Sequence, residues 1–189
     1  MKSNLVQALL LTLCCVVLLA VAYPLTILGL AKIAAPQAGK GETLEARGRV
    51  VGYRRIGQQF SGDRYFWSRP SAVGYNAAGS GGSNKGPSNP EYLSVVQTRL
   101  DTFLAHHPGV RATEVPAELV TASGSGLDPD LSPQGALVQV GRVARARGLP
   151  EAQLRQLVAA HTRGPWLGLF GTATVNVLAL NIALDQLGK

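Results

Sequence analysis

The chain opens on one long apolar block and then alternates between short amphipathic runs and Gly/Ser-rich gaps. No charge falls between Lys2 and Lys32, and LVQALLLTLCCVVLLAVAYPLTILGLA, Leu5 to Ala31, is almost wholly apolar. As a helix rising about 1.5 Å per residue it is roughly 40 Å long, more than the ~30 Å of a bilayer's hydrocarbon core. A spanning helix satisfies its own backbone N–H and C=O groups, as lipid demands. Gln7, Thr12 and Thr26 are tolerable in it, and Pro24 predicts a kink in its last third. The pattern predicts a transmembrane anchor over residues 5–31, behind a tail of residues 1–4. A cleavable secretory signal is the rival reading, with Lys2 as its basic start and Ala20-Val21-Ala22 as its cut site. The apolar run continues nine residues past Ala22, which favours the retained anchor. Leu13, before Cys14, is not the small residue that a lipoprotein signal places there.

Beyond a Pro/Gly-punctuated linker at 32–42, periodicity switches. TLEARGRVVGYRRIGQQF is β-prone with glycines interspersed, which predicts short strands near 44–51 and 53–60, with Arg54-Arg55 as a solvated edge. Next, Tyr65, Phe66, Trp67 and Tyr75 bracket a Gly/Ser/Asn stretch. A flexible linker would not carry that aromatic cluster, so an ordered loop packed by its own side chains is expected. Asn89-Pro90-Glu91 is a helix start: Asn caps, Pro takes the first position and Glu opposes the dipole. The helix places Leu93, Val96, Leu100, Phe103 and Leu104 on one stripe and stops before Pro108.

A strand is expected near 117–122, followed by SGSGLDPDLSP, a second Gly/Ser loop that again ends in a cap and a proline, Ser132-Pro133. The helix behind it turns Ala136, Leu137, Val140, Val143 and Ala144 inward and stops at Gly148. Pro150 opens a third helix, with Leu154, Leu157 and Val158 inward, ending near Gly164. GPWLGLFGTAT reads as a short extended segment, and VNVLALNIALDQL as a last helix packed on two faces. The expected fold is a single N-terminal transmembrane helix plus a small α/β (α+β) soluble domain over residues 43–189.

Composition sharpens this picture. About 158 residues lie beyond the anchor, one ordinary domain with room for a core. The chain has 18 Lys+Arg against 11 Asp+Glu, a balance that suits anionic lipid or an acidic partner. The basic residues form no run and aromatics are few, so nucleic acid is not an expected partner. Cys14 and Cys15 are the only cysteines and both lie in the anchor, so the soluble domain has no disulfide and no thiolate metal site. Charge flanking the anchor, Lys2 against Lys32, Lys40, Arg47 and Arg49, would leave the domain in the cytoplasm, but that bias is weak for long domains.

Catalytic patterns come close and fail. Gly79 to Lys85, GSGGSNK, looks like a phosphate loop, but Asn84 stands where glycine should precede the lysine, and Gly86 follows it. Ser123-Gly124-Ser125-Gly126 lacks the glycine two before either serine that a nucleophile elbow needs. His106 and His107 have no Cys or carboxylate at ligand spacing and read as a helix C-terminus aided by imidazolium charge; His161 is also near a helix end. Asp128 and Asp130, around Pro129, read as turn and cap residues. No catalytic residue and no metal ligand is assigned. Two Gly/Ser loops each feed a proline-initiated helix, whose N-terminus presents free N–H groups. If the fold joins them, Ser80, Gly81, Gly82, Ser83, Asn84, Ser123, Gly124, Ser125 and Gly126 form a backbone-rich surface for an anion, a phosphate or a partner's loop; otherwise both are well-capped turns.

RPSAVGYNAAGSGGSNKGPSNP, LVTASGSGLDPDLSPQGALVQVGRVARARG and GLFGTATVNVLALNIALD, with the single anchor, resemble the C subunits of the bacterial Kdp potassium-transporting ATPases. The resemblance covers nearly the whole chain. It implies an accessory, non-hydrolysing subunit of a high-affinity, ATP-driven potassium importer in the bacterial inner membrane. Implied partners are a potassium-selective pore subunit, a P-type ATPase subunit and a small membrane peptide. The resemblance also implies a catalytic chaperone that raises the ATPase subunit's affinity for ATP, with no intrinsic cofactor and ATP met only through a ternary complex. Ser80 to Asn84, SGGSN, would then resemble the signature loop of ABC-type ATPases. The family's soluble domain is placed on the outer face, which conflicts with direct contact to cytoplasmic ATP and favours an indirect effect. Gln7 and Thr12 would pack the anchor against partner helices in the bilayer. A nucleotide-binding regulator using the Gly/Ser loops is the alternative.

Overall fold

The computed structural model describes residues 2–187. It divides into two compact units, one up to Glu42 and one from Thr43.

The first unit is a rod: helix α1 (Lys2–Val16), a π-helical turn (Val17–Ala22) and helix α2 (Tyr23–Ala34). Ser3–Ala34 is long and apolar enough to cross a membrane, with mean hydropathy 2.8 and none of its apolar window buried. Pro24 has no N–H, and its ring would strike the carbonyl one turn earlier. The backbone answers by widening: the Tyr23 N–H reaches back to the Leu18 carbonyl, five residues away, as π-turns do. The helix runs three residues beyond the expected boundary at Ala31. A 3-10 turn at Pro36–Gly39 follows, with Gln37 and Ala38 in the left-handed region.

The second unit is α+β. Strands β1 (Thr43–Ala46) and β2 (Arg49–Tyr53) form an antiparallel hairpin with a bulge between Leu44 and Glu45. Its two-residue turn, Arg47-Gly48, has both φ values positive, which matches the twist of tight hairpins. The strand expected over 53–60 is absent. A turn closes at Ile56, whose N–H meets the Tyr53 carbonyl, and the Gly57 N–H pairs with the Leu127 carbonyl at 2.7 Å. A β-carbon on Gly57 would lie 2.5 Å from the Asp128 carbonyl oxygen, so this glycine marks a backbone crossing and not a strand interior.

Helix α3 (Pro90–His106) starts where its cap predicts: the Asn89 side chain accepts from the Tyr92 N–H. Its stripe is shorter than expected, because Phe103 is buried while Leu93 is 50% exposed at the solvated first turn. Residues 117–122 form no strand. Pro116 sets up a 3-10 turn, Ala117–Leu119, which buries the adjacent Leu119 and Val120 together, something an alternating strand cannot do.

The helix expected after Ser132 is two helices, α4 (Pro133–Leu137) and α5 (Val140–Arg147), ending at Gly148 with φ +67°. The break falls at Val138-Gln139, where the Gln139 N–H tightens onto Ala136 and its amide caps the Gly135 carbonyl. Helix α6 (Glu151–His161) stops short of Gly164, because Thr162–Arg163 become a strand. A second antiparallel sheet has the order β3 (Asp130–Leu131), β5 (Thr174–Asn176), β4 (Thr162–Arg163). Helix α7 (Val177–Leu187) follows directly. Of GPWLGLFGTAT only the last residues are extended; Trp166 and Phe170 close a tight turn with positive φ at Leu167, Gly168 and Gly171.

The core sits where α4–α7 meet the second sheet. Leu131, Leu154, Val175, Leu180 and Leu184 are essentially inaccessible, each contributing about 1.5–3 kcal/mol by leaving water. Phe66 joins them from a segment with no secondary structure of its own.

Candidate functional site: a pair of joined glycine loops

Residues 62–67 would bring unpaired backbone groups into the core, and three side chains from α5, α7 and the turn before α5 satisfy them. Asn181 on α7 accepts from the Phe66 N–H at 2.9 Å and donates to its carbonyl at 3.0 Å. Gln139 does the same for Trp67. Arg142, 3% exposed, donates to the carbonyls of Asp63 and Tyr65, to Gln139 Oε1 and to His107 Nε2, with its guanidinium over the Trp67 ring. Burial lowers its pKa to about 10, offset in part by Asp63, so it remains charged at neutral pH. Arg147 holds the Arg64 carbonyl and pairs with Asp185 at 2.7 Å.

This frame fixes the start of the first Gly/Ser loop and delivers it to the second. The Ser123 N–H meets the Pro70 carbonyl, and Ser71 Oγ donates to the Gly126 carbonyl at 2.7 Å. The Gly81 N–H and Ser80 Oγ both reach the Ser125 carbonyl, at 2.9 and 3.0 Å. The contact needs its glycines. A β-carbon on Gly126, whose φ is +67°, would lie 2.8 Å from the Gly81 carbonyl oxygen, and one on Gly82 would lie 3.0 Å from that of Gly124. Seven of the nine residues proposed from sequence (Ser80, Gly81, Gly82 and Ser123–Gly126) therefore meet along one seam. Ser83 is half-buried; Asn84, with φ +53°, is exposed beyond it. Tyr75 is folded back, its hydroxyl donating to the Arg69 carbonyl, and burial raises its pKa.

The helix starts behind the loops are occupied by their own caps. Asn89 takes the Tyr92 N–H, and Ser132 Oγ takes the Gly135 N–H. Glu118 accepts in turn from the Ser132 N–H and hydroxyl. These N–H groups are engaged and not offered to a ligand. Beside the seam lies a cleft of about 510 Å³, walled by Trp67, Tyr75, Arg99, Thr102 and His106, in which Arg99 is tied to the Val120 carbonyl.

The histidines divide. His106, exposed, pairs with Asp63 at 2.8 Å. His107 corrects the imidazolium reading: it is 1% exposed, its Nδ1 donates to the Phe103 carbonyl at 2.6 Å and its Nε2 accepts from Arg142. Burial pushes its pKa down to about 4, so it is a neutral structural group. Asp128 pairs with Arg69 and caps Asp130, and Asp130 accepts from Asn176. In the anchor, Thr12 Oγ1 donates to the Ala8 carbonyl of its own helix, and Gln7 is exposed. At roughly 100° per residue these two lie about 140° apart and share no face.

Sequence reasoning missed Ser71, Gln139, Arg142 and Asn181. For three of them the signal was polarity at inward positions: Gln139 stands just before α5, Arg142 interrupts the apolar stripe of α5, and Asn181 that of α7.

The family model for the K+-transporting ATPase c chain, KdpC, matches residues 5–186. The chain belongs to the KdpC family. Curated relatives named "Potassium-transporting ATPase KdpC subunit" agree in length and sequence. The one from Flavobacterium psychrophilum is 58% identical over 185 residues, 98% of this chain and 99% of that protein. That from Bacteroides fragilis is 50% identical over 187 residues, 98% of each. A Geobacter sulfurreducens relative is 52% identical over 169 residues, 87% of this chain and 88% of its own. The KdpC match takes in the anchor, the aromatic segment and both glycine loops.

Proposed function

We propose that this chain is the accessory, non-hydrolysing subunit of a high-affinity, ATP-driven potassium importer in the bacterial inner membrane. Its α+β unit acts from the outer face, and its loop seam docks on the transporter. Its partners are the potassium-selective pore subunit, the P-type ATPase subunit and the small membrane peptide, with the anchor among their helices in the lipid. Membership of the KdpC family supports the assembly. The joined loops, with Gly81 held to Ser125, support docking: the seam is poor in side chains, and at exposed Gly124, whose β-carbon position meets nothing within 4 Å, another backbone can approach closely. The Tyr92 and Gly135 N–H groups at the two helix starts are already taken by caps, which weighs against a phosphate cradle. Any rise in the ATPase subunit's affinity for ATP is then indirect, transmitted through assembly.

Deleting the gene should abolish growth at micromolar potassium, and the intact chain should restore it. A C-terminal reporter active outside the cytoplasm supports the outer position. Activity inside would return the nucleotide-binding alternative, in which Ser80–Asn84 and Ser123–Gly126 touch ATP.

A further inference from the structure

The turn at Trp166–Phe170 presents Trp166, Leu167, Leu169 and Phe170 at 60–81% exposure, the largest group of bared apolar side chains among the described residues outside the anchor. Contiguous apolar exposure of this kind marks an interaction surface. The tip is preformed. Trp166 donates to the Phe170 carbonyl at 2.8 Å, and Gly168, Leu169 and Phe170 donate to the carbonyls of Pro165 and Trp166. Trp166 and Phe170 lie ring to ring, 5.6 Å between centroids.

We propose that this tip seats in the interfacial layer of an anionic bilayer. Three features favour lipid over a protein groove. The N–H groups of Trp166, Gly168, Leu169 and Phe170 are already paired within the turn, so entering an apolar medium strands few donors. Trp, Phe and Leu are the side chains that enter the headgroup boundary, and Gly164, Pro165 and Gly171 beside them give no polar rim of side chains of the kind protein interfaces use. Exposed Arg163, on β4, precedes the tip by three residues, and its charge is complementary to lipid phosphate. The segment Ala35–Glu42 ties the unit to its own membrane-crossing helix, so a bilayer is within reach of the linker. Interfacial contact requires nothing of the docking seam.

The test uses the full chain in nanodiscs of phosphatidylcholine and phosphatidylglycerol, with or without bromine on the acyl chains. Trp67 and Trp166 are the two tryptophans, so with tryptophan excited selectively Trp166→Phe isolates the tip by difference. Brominated lipid should lower the Trp166 emission about twofold, and Leu169→Glu should remove that quenching with the thermal midpoint unchanged. Equal emission in both lipids overturns the proposal. So does a Trp166 that is blue-shifted but unquenched in the assembled transporter, which would mean that a protein groove covers the tip.

Discussion

Arg142 Nε donates to His107 Nε2 across 2.8 Å, and the bond requires an imidazole that carries no proton on that nitrogen. With Nδ1 committed to the Phe103 carbonyl, His107 is fixed in one neutral tautomer, stacked on the Phe103 ring 3.7 Å away. A polar pair thus joins the end of α3 to α5 in the interior.

The first consequence is a pH dependence. Below about pH 6.5 the unfolded chain protonates His107, while the folded chain resists until about pH 4. Stability from this group is therefore complete above pH 6.5 and is lost as pH falls through the window from 6.5 to 4, on the order of 3 kcal/mol in all. Urea midpoints of the full chain in detergent should fall between about pH 7.5 and about pH 5, and His107→Gln should flatten that slope.

Arg142 is the harder residue to replace. Arg142→Lys keeps the charge but loses the planar fork that serves two carbonyls, Gln139 and His107 together. A loss of about 3 kcal/mol or more is expected, measured as a lower thermal midpoint.

The loop seam separates two chemically similar changes. Gly126→Ala forces a β-carbon into positive φ and against the Gly81 carbonyl, for a cost of about 2 kcal/mol or more. Gly124→Ala meets nothing within 4 Å and should be silent in stability. On the docking proposal, Gly126→Ala also lowers recovery of the transporter subunits in co-purification at a temperature where the variant remains folded.

Glu118 supports the second helix start from outside it. Glu118→Ala removes the acceptor of the Ser132 N–H and hydroxyl and should cost about 1–2 kcal/mol. Hydrogen exchange at Ser132 and Gly135 should rise more than at Leu154 in the core.

The caps and the helices were legible because their signals are local. Asn89-Pro90 and Ser132-Pro133 start helices where written, and Gly148 ends one. The nature of the loops was legible too, but not their meeting, which depends on contacts between residues distant in the chain, such as Ser80 with Ser125, 45 residues on. The second sheet was missed because Asp130–Leu131 and Thr162–Arg163 are two residues each, too short for alternation to register. His107 was misread because helix-end chemistry predicts a charged imidazole, whereas burial against Phe103 and Arg142 is a tertiary fact.

The π-turn before Pro24 reaches beyond its own six residues. Each such turn feeds one surplus residue into the spiral, so the lateral order of side chains above Tyr23 is rotated by about a quarter-turn from the order below Val16. A neighbouring rod that reads Ala8 and Thr12 would not find its stripe continued at Thr26 and Gly29. The two ends of the span accordingly offer differently aimed sides, and two distinct neighbours can grip one short stem.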